Sequence, residues 1–280
     1  MKIGINTALW QWPFGSKDIN LFNKIQEFGY DAIEITIEDR SKKNIEIIRD
    51  SLKKTNLECI VCSSFVNGNL ISENRETVEI GKNYAIESID LCEYLGSSIL
   101  VGPTYGSCVN PEFLNKKIKD KAKKQCIGLL KDIGSYSLRK KIKIAVEPLN
   151  RYESNFLNTA QEGLDLISKI NLTNVGLNLD TYHMNIEEKS SKQAILDAGK
   201  VLFHLHAPEN DRGTPGTGDV DWTGIAESLK RIDFGGFVVM ESGSPKVEEV
   251  AKLGAFWRVY DYSRDKMALE GLNFLRKVLS

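Results

Sequence analysis

Eight short apolar runs, each followed by a longer stretch of helical periodicity, constrain this chain more than any other feature of its sequence. The runs are KIGIN, DAIEIT, LECIVCS, SILVG, KIKIAVE, VGLNLD, LFHLHA and GFVVME. Between them, apolar residues recur at helical spacing over Asp18 to Phe28, Lys43 to Lys54, Glu76 to Leu95, Leu114 to Arg139, Ala160 to Ile170, Ser191 to Ala198 and Thr223 to Arg231. A further helical stretch runs from Val247 onward. Strand followed by helix is the unit of a parallel sheet, and eight such units close a barrel more naturally than they form an open sheet. No Gly-x-Gly-x-x-Gly turn follows the first run, which argues against a doubly wound dinucleotide-binding fold. The expected architecture is therefore an α/β fold, a single (β/α)8 TIM barrel over residues 1–280 with its active site at the carboxyl ends of the strands.

Length agrees, since such barrels commonly form one unit of about 250 residues. A 41% hydrophobic, 27% charged composition suits a soluble protein with a sizeable core, and a formal net charge of -1 leaves no electrostatic footprint for nucleic acid. The opening MKIGINTALW enters a strand without a basic and apolar leader, and no apolar run approaches a membrane span, so a cytoplasmic location without membrane contact is expected. The cysteines are Cys59, Cys62, Cys92, Cys108 and Cys126. Cys59 and Cys62 fall three apart in a strand, on opposite faces, and read as buried free thiols, not as a zinc or redox pair. The lysine-rich stretch Lys116 to Lys124 reads as a solvated helix face.

Four of the runs end on a side chain that can hold a metal or move a proton: Glu147 in KIAVEPLN, Asp180 in VGLNLD, His206 in FHLHAPEN and Glu241 in GFVVMES. A lone carboxylate at a strand end is as readily a helix cap or half of an ion pair. Four at matching ends converge on the mouth where a barrel does its chemistry. Three carboxylates and one imidazole make a hard donor set for one divalent ion, suiting Mn2+, Mg2+ or Co2+ better than a structural zinc. All three histidines, His183, His204 and His206, lie in one stretch; His204 shares a face with His206 one layer deeper and is expected to support it through a buried hydrogen bond. Long connections after Ser63, Gly102, Glu147 and Ala207 mark the same end as the functional face.

The segments EPLNRYESNFLNT, LDTYHMNIEE, HLHAPENDRGTPGTGDVDW and VVMES resemble the signature stretches of the ketose 3-epimerases, the D-tagatose and D-allulose 3-epimerase group of the xylose-isomerase-like barrel superfamily. The resemblance runs from GINTALW to the AFWR motif at Ala255 to Arg258. It implies that Glu147, Asp180, His206 and Glu241 hold one divalent ion, most often Mn2+, and that Glu147 and Glu241 are also the catalytic proton-transfer pair. It implies that Glu153, His183 and Arg212 bind the ketose at its C1 and C2 oxygens, and that the chain forms a homodimer or homotetramer.

Elementary chemistry agrees with that role. A proton on C3 of a ketose is acidic enough to remove only if the adjacent carbonyl is polarised and the enediolate stabilised, and two carboxylates on opposite faces of C3 then invert it. For the outer carbons, Trp10, Trp12, Phe14, Phe65 and Tyr105 are candidate stacking partners. Asn6 stands where family members often carry an aromatic residue. An aldose–ketose isomerase of the same superfamily would carry a second metal or a lysine and histidine arranged for hydride or C1–C2 proton transfer, and no second cluster of ligands is seen. The ketose itself could be a hexulose, a pentulose such as ribulose or a modified ketose such as fructoselysine. An endonuclease IV-like enzyme would need more histidines and a basic face.

Overall fold

The computed structural model describes residues 1–64, 68–106, 113–255, 257–258 and 263–280. Its strands are β1 (Lys2–Asn6), β2 (Ala32–Ile35), β3 (Glu58–Cys62), β4 (Ile99–Gly102), β5 (Lys143–Val146), β6 (Val175–Asp180), β7 (Leu202–His206) and β8 (Phe237–Met240). All pair in parallel in chain order, and β8 returns to β1, closing the barrel. The helices are α1 (Asn20–Phe28), α2 (Lys42–Leu52), α3 (Arg75–Leu95), α4 (Lys116–Arg139), α5 (Ala160–Ile170), α6 (Thr181–Glu187), α7 (Ser191–Ala198), α8 (Trp222–Arg231), α9 (Glu248–Gly254) and α10 (Arg264–Val278).

Capping side chains set the helix starts. Asn115 accepts from the Ile118 amide and starts α4 two residues later than periodicity alone indicates, and Asp221 accepts from the Gly224 amide ahead of α8. The segment from Val247 divides into α9 and α10. The short α6 was not expected; Asp180 caps it, accepting from the Tyr182 and His183 amides.

Strand parity then sorts the side chains. One face of each strand packs outward on the helices, as with Ile33, Val61, Leu177 and Leu205. The other face fills the barrel with Ala32, Ile60, Ile99, Val101, Ala145 and Val239. Cys59 belongs to the outward layer and Cys62 to the inward one, as their spacing requires; both are free thiols, as are Cys92 and Cys126, while Cys108 lies outside the described residues. Above the apolar filling, the inward positions turn polar: Asn6 pairs with Glu34, Asn178 with His204 and Asp180 with His206 across adjacent strands. At the end of β4, Gly102 adopts φ 106°, where a Cβ would sit 2.6 Å from the Ser63 carbonyl oxygen. Only glycine lets the chain turn there beside the mouth. No helix among the described residues is long and apolar enough to cross a membrane.

Candidate active site

The side chains at the ends of β5, β6, β7 and β8 meet. Glu147, Asp180, His206 and Glu241 each offer one donor atom, and these atoms all lie within 4.8 Å of one another. Strand register does most of this work, because Asp180 and His206 are cross-strand partners while Glu147 and Glu241 each follow the last residue of their strand. His206 Nδ1 is the focus: it lies 3.0 Å from Glu147 Oε1, 3.4 Å from Glu241 Oε2 and 3.9 Å from Asp180 Oδ2, with Asn178 Nδ2 at 3.1 Å. Capping α6 occupies Asp180 Oδ1 and leaves Oδ2 for the cluster.

Electrostatics describe a place that demands positive charge. Burial and then the neighbouring carboxylates Glu241 and Glu147, only partly offset by Arg212, push the Asp180 carboxyl up to about 8. Burial pushes Glu147 up as well, against the pull of His206. His206 loses by burial but gains more from Glu241, Glu34 and Glu147, and is raised well above the ordinary imidazole value. Burial thus raises Glu147 and Asp180, while the carboxylates around the ring raise His206, and it is the imidazole's rise that marks an excess of negative charge.

A divalent cation fits this donor set. Neighbouring donors on a six-coordinate ion with bonds of about 2.1 Å stand about 3 Å apart, and opposite donors about 4 Å. The separations around Nδ1 fall in that range. One imidazole and three carboxylates match the hard-ion preference and lack a thiolate.

The three residues expected to touch the ketose line the same space. Arg212, in the loop after β7, takes φ 63°, a conformation uncommon for a residue with a side chain. Its Nη1 lies 2.9 Å from Asp180 Oδ2 and 2.6 Å from Glu241 Oε2, and its guanidinium stacks 4.4 Å over the Tyr182 ring. His183 Nδ1 accepts from the Asn150 backbone amide at 3.2 Å, so the neutral ring carries its proton on Nε2. Burial, with Arg212 and His206, holds His183 well below the usual imidazole range. Its Nε2 lies 3.2 Å from Arg212 Nη2, which places two donors side by side and makes that spot a receptor for an oxygen. Glu153 accepts from Asn150 Nδ2 at 2.8 Å, and burial raises its carboxyl.

These groups open into a cavity of about 600 Å3, lined also by Asn6, Trp12, Leu149, Tyr152 and Leu253. Of the aromatic candidates, Trp12 lines it. Trp10, Phe14 and Tyr105 do not: Trp10 packs on Phe28 and bonds Asp265, Phe14 packs on Phe22, and Tyr105 packs on Phe156. Phe65 lies outside the described residues. At the AFWR motif, Ala255 lines the cavity and Arg258 pairs with Asp211 at 2.9 Å.

Beneath the cluster lies a residue that sequence reading passed over. Glu34, fully buried on β2, lies 3.0 Å from His206 Nε2 through Oε1 and 3.0 Å from His204 Nε2 through Oε2. The first is an aligned hydrogen bond; the second is a contact of the two groups without that alignment. Burial opposes its charge, but His206 and His204 outweigh burial and hold it well below the carboxylate range. Glu34 with the two histidines forms a second group of possible ligands, and with Cys62 and Glu241 a third, both overlapping the first. The absence of any second cluster, expected from sequence, therefore does not hold. The available signal was a single charge inside AIEI, at the inward parity.

A closed parallel barrel with an acidic cluster at its carboxyl mouth that could hold a divalent cation defines a class of barrel enzyme with a candidate metal site. The xylose isomerase-like TIM barrel family matches residues 22–278. A probable ketose 3-epimerase of Synechocystis is 30% identical over 99% of this chain and 96% of its own length. A 3-dehydro-D-guloside 4-epimerase of Escherichia coli is 30% identical over 90% of this chain and 95% of its own. The crystal structure of D-psicose 3-epimerase with D-tagatose from Clostridium cellulolyticum superposes with a TM-score of 0.92 at 27% identity, covering both chains completely. This chain belongs to the ketose 3-epimerase group of the xylose isomerase-like TIM barrel family and is a carbohydrate epimerase.

Proposed function

We propose that the chain epimerises a free ketose at C3, with one Mn2+ held by Glu147, Asp180, His206 and Glu241. The observation that carries this reading is the placement of two carboxylates, Glu147 and Glu241, at the floor of one cavity from β5 and β8, strands separated by β6 and β7. A divalent cation bound there would polarise the C2 carbonyl and stabilise negative charge on its oxygen. One carboxylate takes the C3 proton and the other returns a proton to the opposite face. Arg212 and His183, whose nitrogens stand 3.2 Å apart on the cavity wall, bind and orient the oxygens at the C1 and C2 end. Glu153 orients a hydroxyl at the same end, and Trp12, Leu149 and Leu253 wall the space left for the outer carbons.

Likeness to the Escherichia coli enzyme supports a second reading, epimerisation at C4 of a 3-keto glycoside. The chemistry is the same, loss and return of a proton beside a carbonyl. Incubating D-tagatose, D-fructose, D-allulose and ribulose with enzyme and Mn2+, and separating products by chromatography, decides between them. A C3 epimer from at least one free ketose supports the first. No C3 epimer from any, with a C4 epimer from a keto glycoside, overturns it. A cytoplasmic homodimer or homotetramer completes the proposal on the strength of the family resemblance, and light scattering checks the assembly.

A further inference from the structure

Glu34 is not in the mouth of the cavity, and no step of the proposed reaction uses it. It is nevertheless a fully buried carboxylate directly beneath a proposed metal ligand. Its Oε1 receives two donors, Asn6 Nδ2 at 2.6 Å and His206 Nε2 at 3.0 Å, and its Oε2 faces His204 Nε2 at 3.0 Å. An oxygen already receiving two N–H groups has little left to offer a cation. Asn6 carries the same network upward, its Nδ2 lying 3.3 Å from Glu241 Oε1.

We propose that Glu34 is a positioning residue for the metal site: it accepts the Nε2 proton of His206, so that the neutral ring that meets an ion presents a bare Nδ1 toward Glu147, Asp180 and Glu241. An imidazole has one ring proton when neutral, and a carboxylate on one nitrogen selects which nitrogen is free to bind a cation. The same contact fixes the plane of the ring, with the His204 ring packed edge-on 4.9 Å away. The inference rests on the divalent-cation reading of the cluster.

Three histidines in the whole chain make the test direct. In 15N-histidine-labelled wild-type protein saturated with diamagnetic Mg2+, long-range 1H–15N spectra are expected to report His206 as the Nε2–H tautomer. A proton on Nδ1 overturns the proposal, and this measurement needs no variant to fold. Mn2+ titration calorimetry supplies the second arm. Wild type is expected to bind one ion per chain, and Glu34→Gln and Glu34→Ala to bind it about 10- to 100-fold more weakly, as loss of such a supporting carboxylate typically does. Because the reacting groups stay in place, excess Mn2+ is expected to restore most of kcat in Glu34→Gln with the ketose KM unchanged. Equal Mn2+ affinity in wild type and both folded variants overturns the proposal. So does a stoichiometry of two, which would make Glu34 a ligand. Wild type that binds neither ion overturns the metal reading itself and is distinguishable from either result.

Discussion

Arg212 Nη1 lies 2.6 Å from Glu241 Oε2, and the same nitrogen reaches Asp180 Oδ2 at 2.9 Å. One guanidinium thus holds two of the four proposed ligands in place. Arg212→Ala would leave both carboxylates without that partner, and breaking a buried pair from one side costs about 3–5 kcal/mol. The expected result is a melting temperature well below wild type in chelator, with the gap narrowing when Mn2+ is added. The turnover number is expected to fall about 100- to 1000-fold with the donor beside His183 gone. Arg212→Lys keeps the charge but not the two-nitrogen reach, and should fall between. Thermal melts with and without Mn2+ check the first claim and steady-state kinetics the second; an alanine variant that melts with wild type in chelator contradicts it.

The two-carboxylate scheme predicts asymmetric damage. Glu147→Gln and Glu241→Gln each keep an oxygen but lose the proton-accepting group, and each is expected to lower kcat about 100- to 10000-fold. Each variant retains one base, so each is expected to exchange solvent deuterium into C3 of one epimer and not of the other. Mass spectrometry of sugars recovered from D2O reads this. Full epimerase activity in either variant is the result that sinks the scheme.

How far the sequence could be read follows from which physical signals are local. All eight strands were legible because each is an apolar run at strand length, and the convergence of Glu147, Asp180, His206 and Glu241 because each stands where such a run ends. Helix α6 was not, since its capping residue Asp180 had been assigned wholly to the site, although one carboxylate oxygen caps and the other faces the cluster. Glu34 was hidden because period-two parity says that a side chain points inward but not what it meets across the barrel. Trp10, Phe14 and Tyr105 sit on connections, where no periodicity fixes a direction, and all three turned into the packing. Asn6 was visible as a departure from the family, but its bonds to Glu34 and Glu241 join three strands and exist only in the closed barrel.

Buried thiols give the protein an alkaline limit. Burial, with a smaller effect of Glu34, pushes Cys59 up to about 12, while burial puts Cys92 well above the ordinary thiol value and raises Cys126. An unfolded thiol titrates near 8.5. Above that pH the unfolded chain sheds protons that the folded chain keeps, so the folded state binds more protons and stability falls as pH rises. The contribution is fully present below about pH 8.5 and is lost at about 1.4 kcal/mol per pH unit per thiol toward the folded values. Urea midpoints from pH 7 to 10 are expected to decline, and more shallowly in Cys59→Ala. In native protein at pH 9, iodoacetamide is expected to leave Cys59, Cys92 and Cys126 unmodified; rapid alkylation of any of them contradicts their burial.

Glu209 offers the sharpest test of how the Arg212 loop is held. It is fully buried, and its two oxygens accept four N–H groups: Oε1 from Asn210 at 3.1 Å and Val220 at 3.0 Å, Oε2 from Gly216 at 2.7 Å and Trp222 Nε1 at 3.0 Å. A carboxylate is the one side chain that accepts at all these points without presenting a donor. Glu209→Gln is nearly isosteric but turns an NH2 group against at least one pair of those donors, each left unmet at a cost of about 1–3 kcal/mol. Three of these bonds stay within the loop and the fourth reaches only the first residue of α8, so far-UV circular dichroism should match wild type while the melting temperature drops. Arg212 lies within the tethered segment, and loosening it should raise the ketose KM and lower kcat although Glu209 touches neither sugar nor metal. Limited proteolysis should cut first between residues 210 and 221. Wild-type resistance to proteolysis together with unchanged kinetics would mean that the loop is held by something other than Glu209.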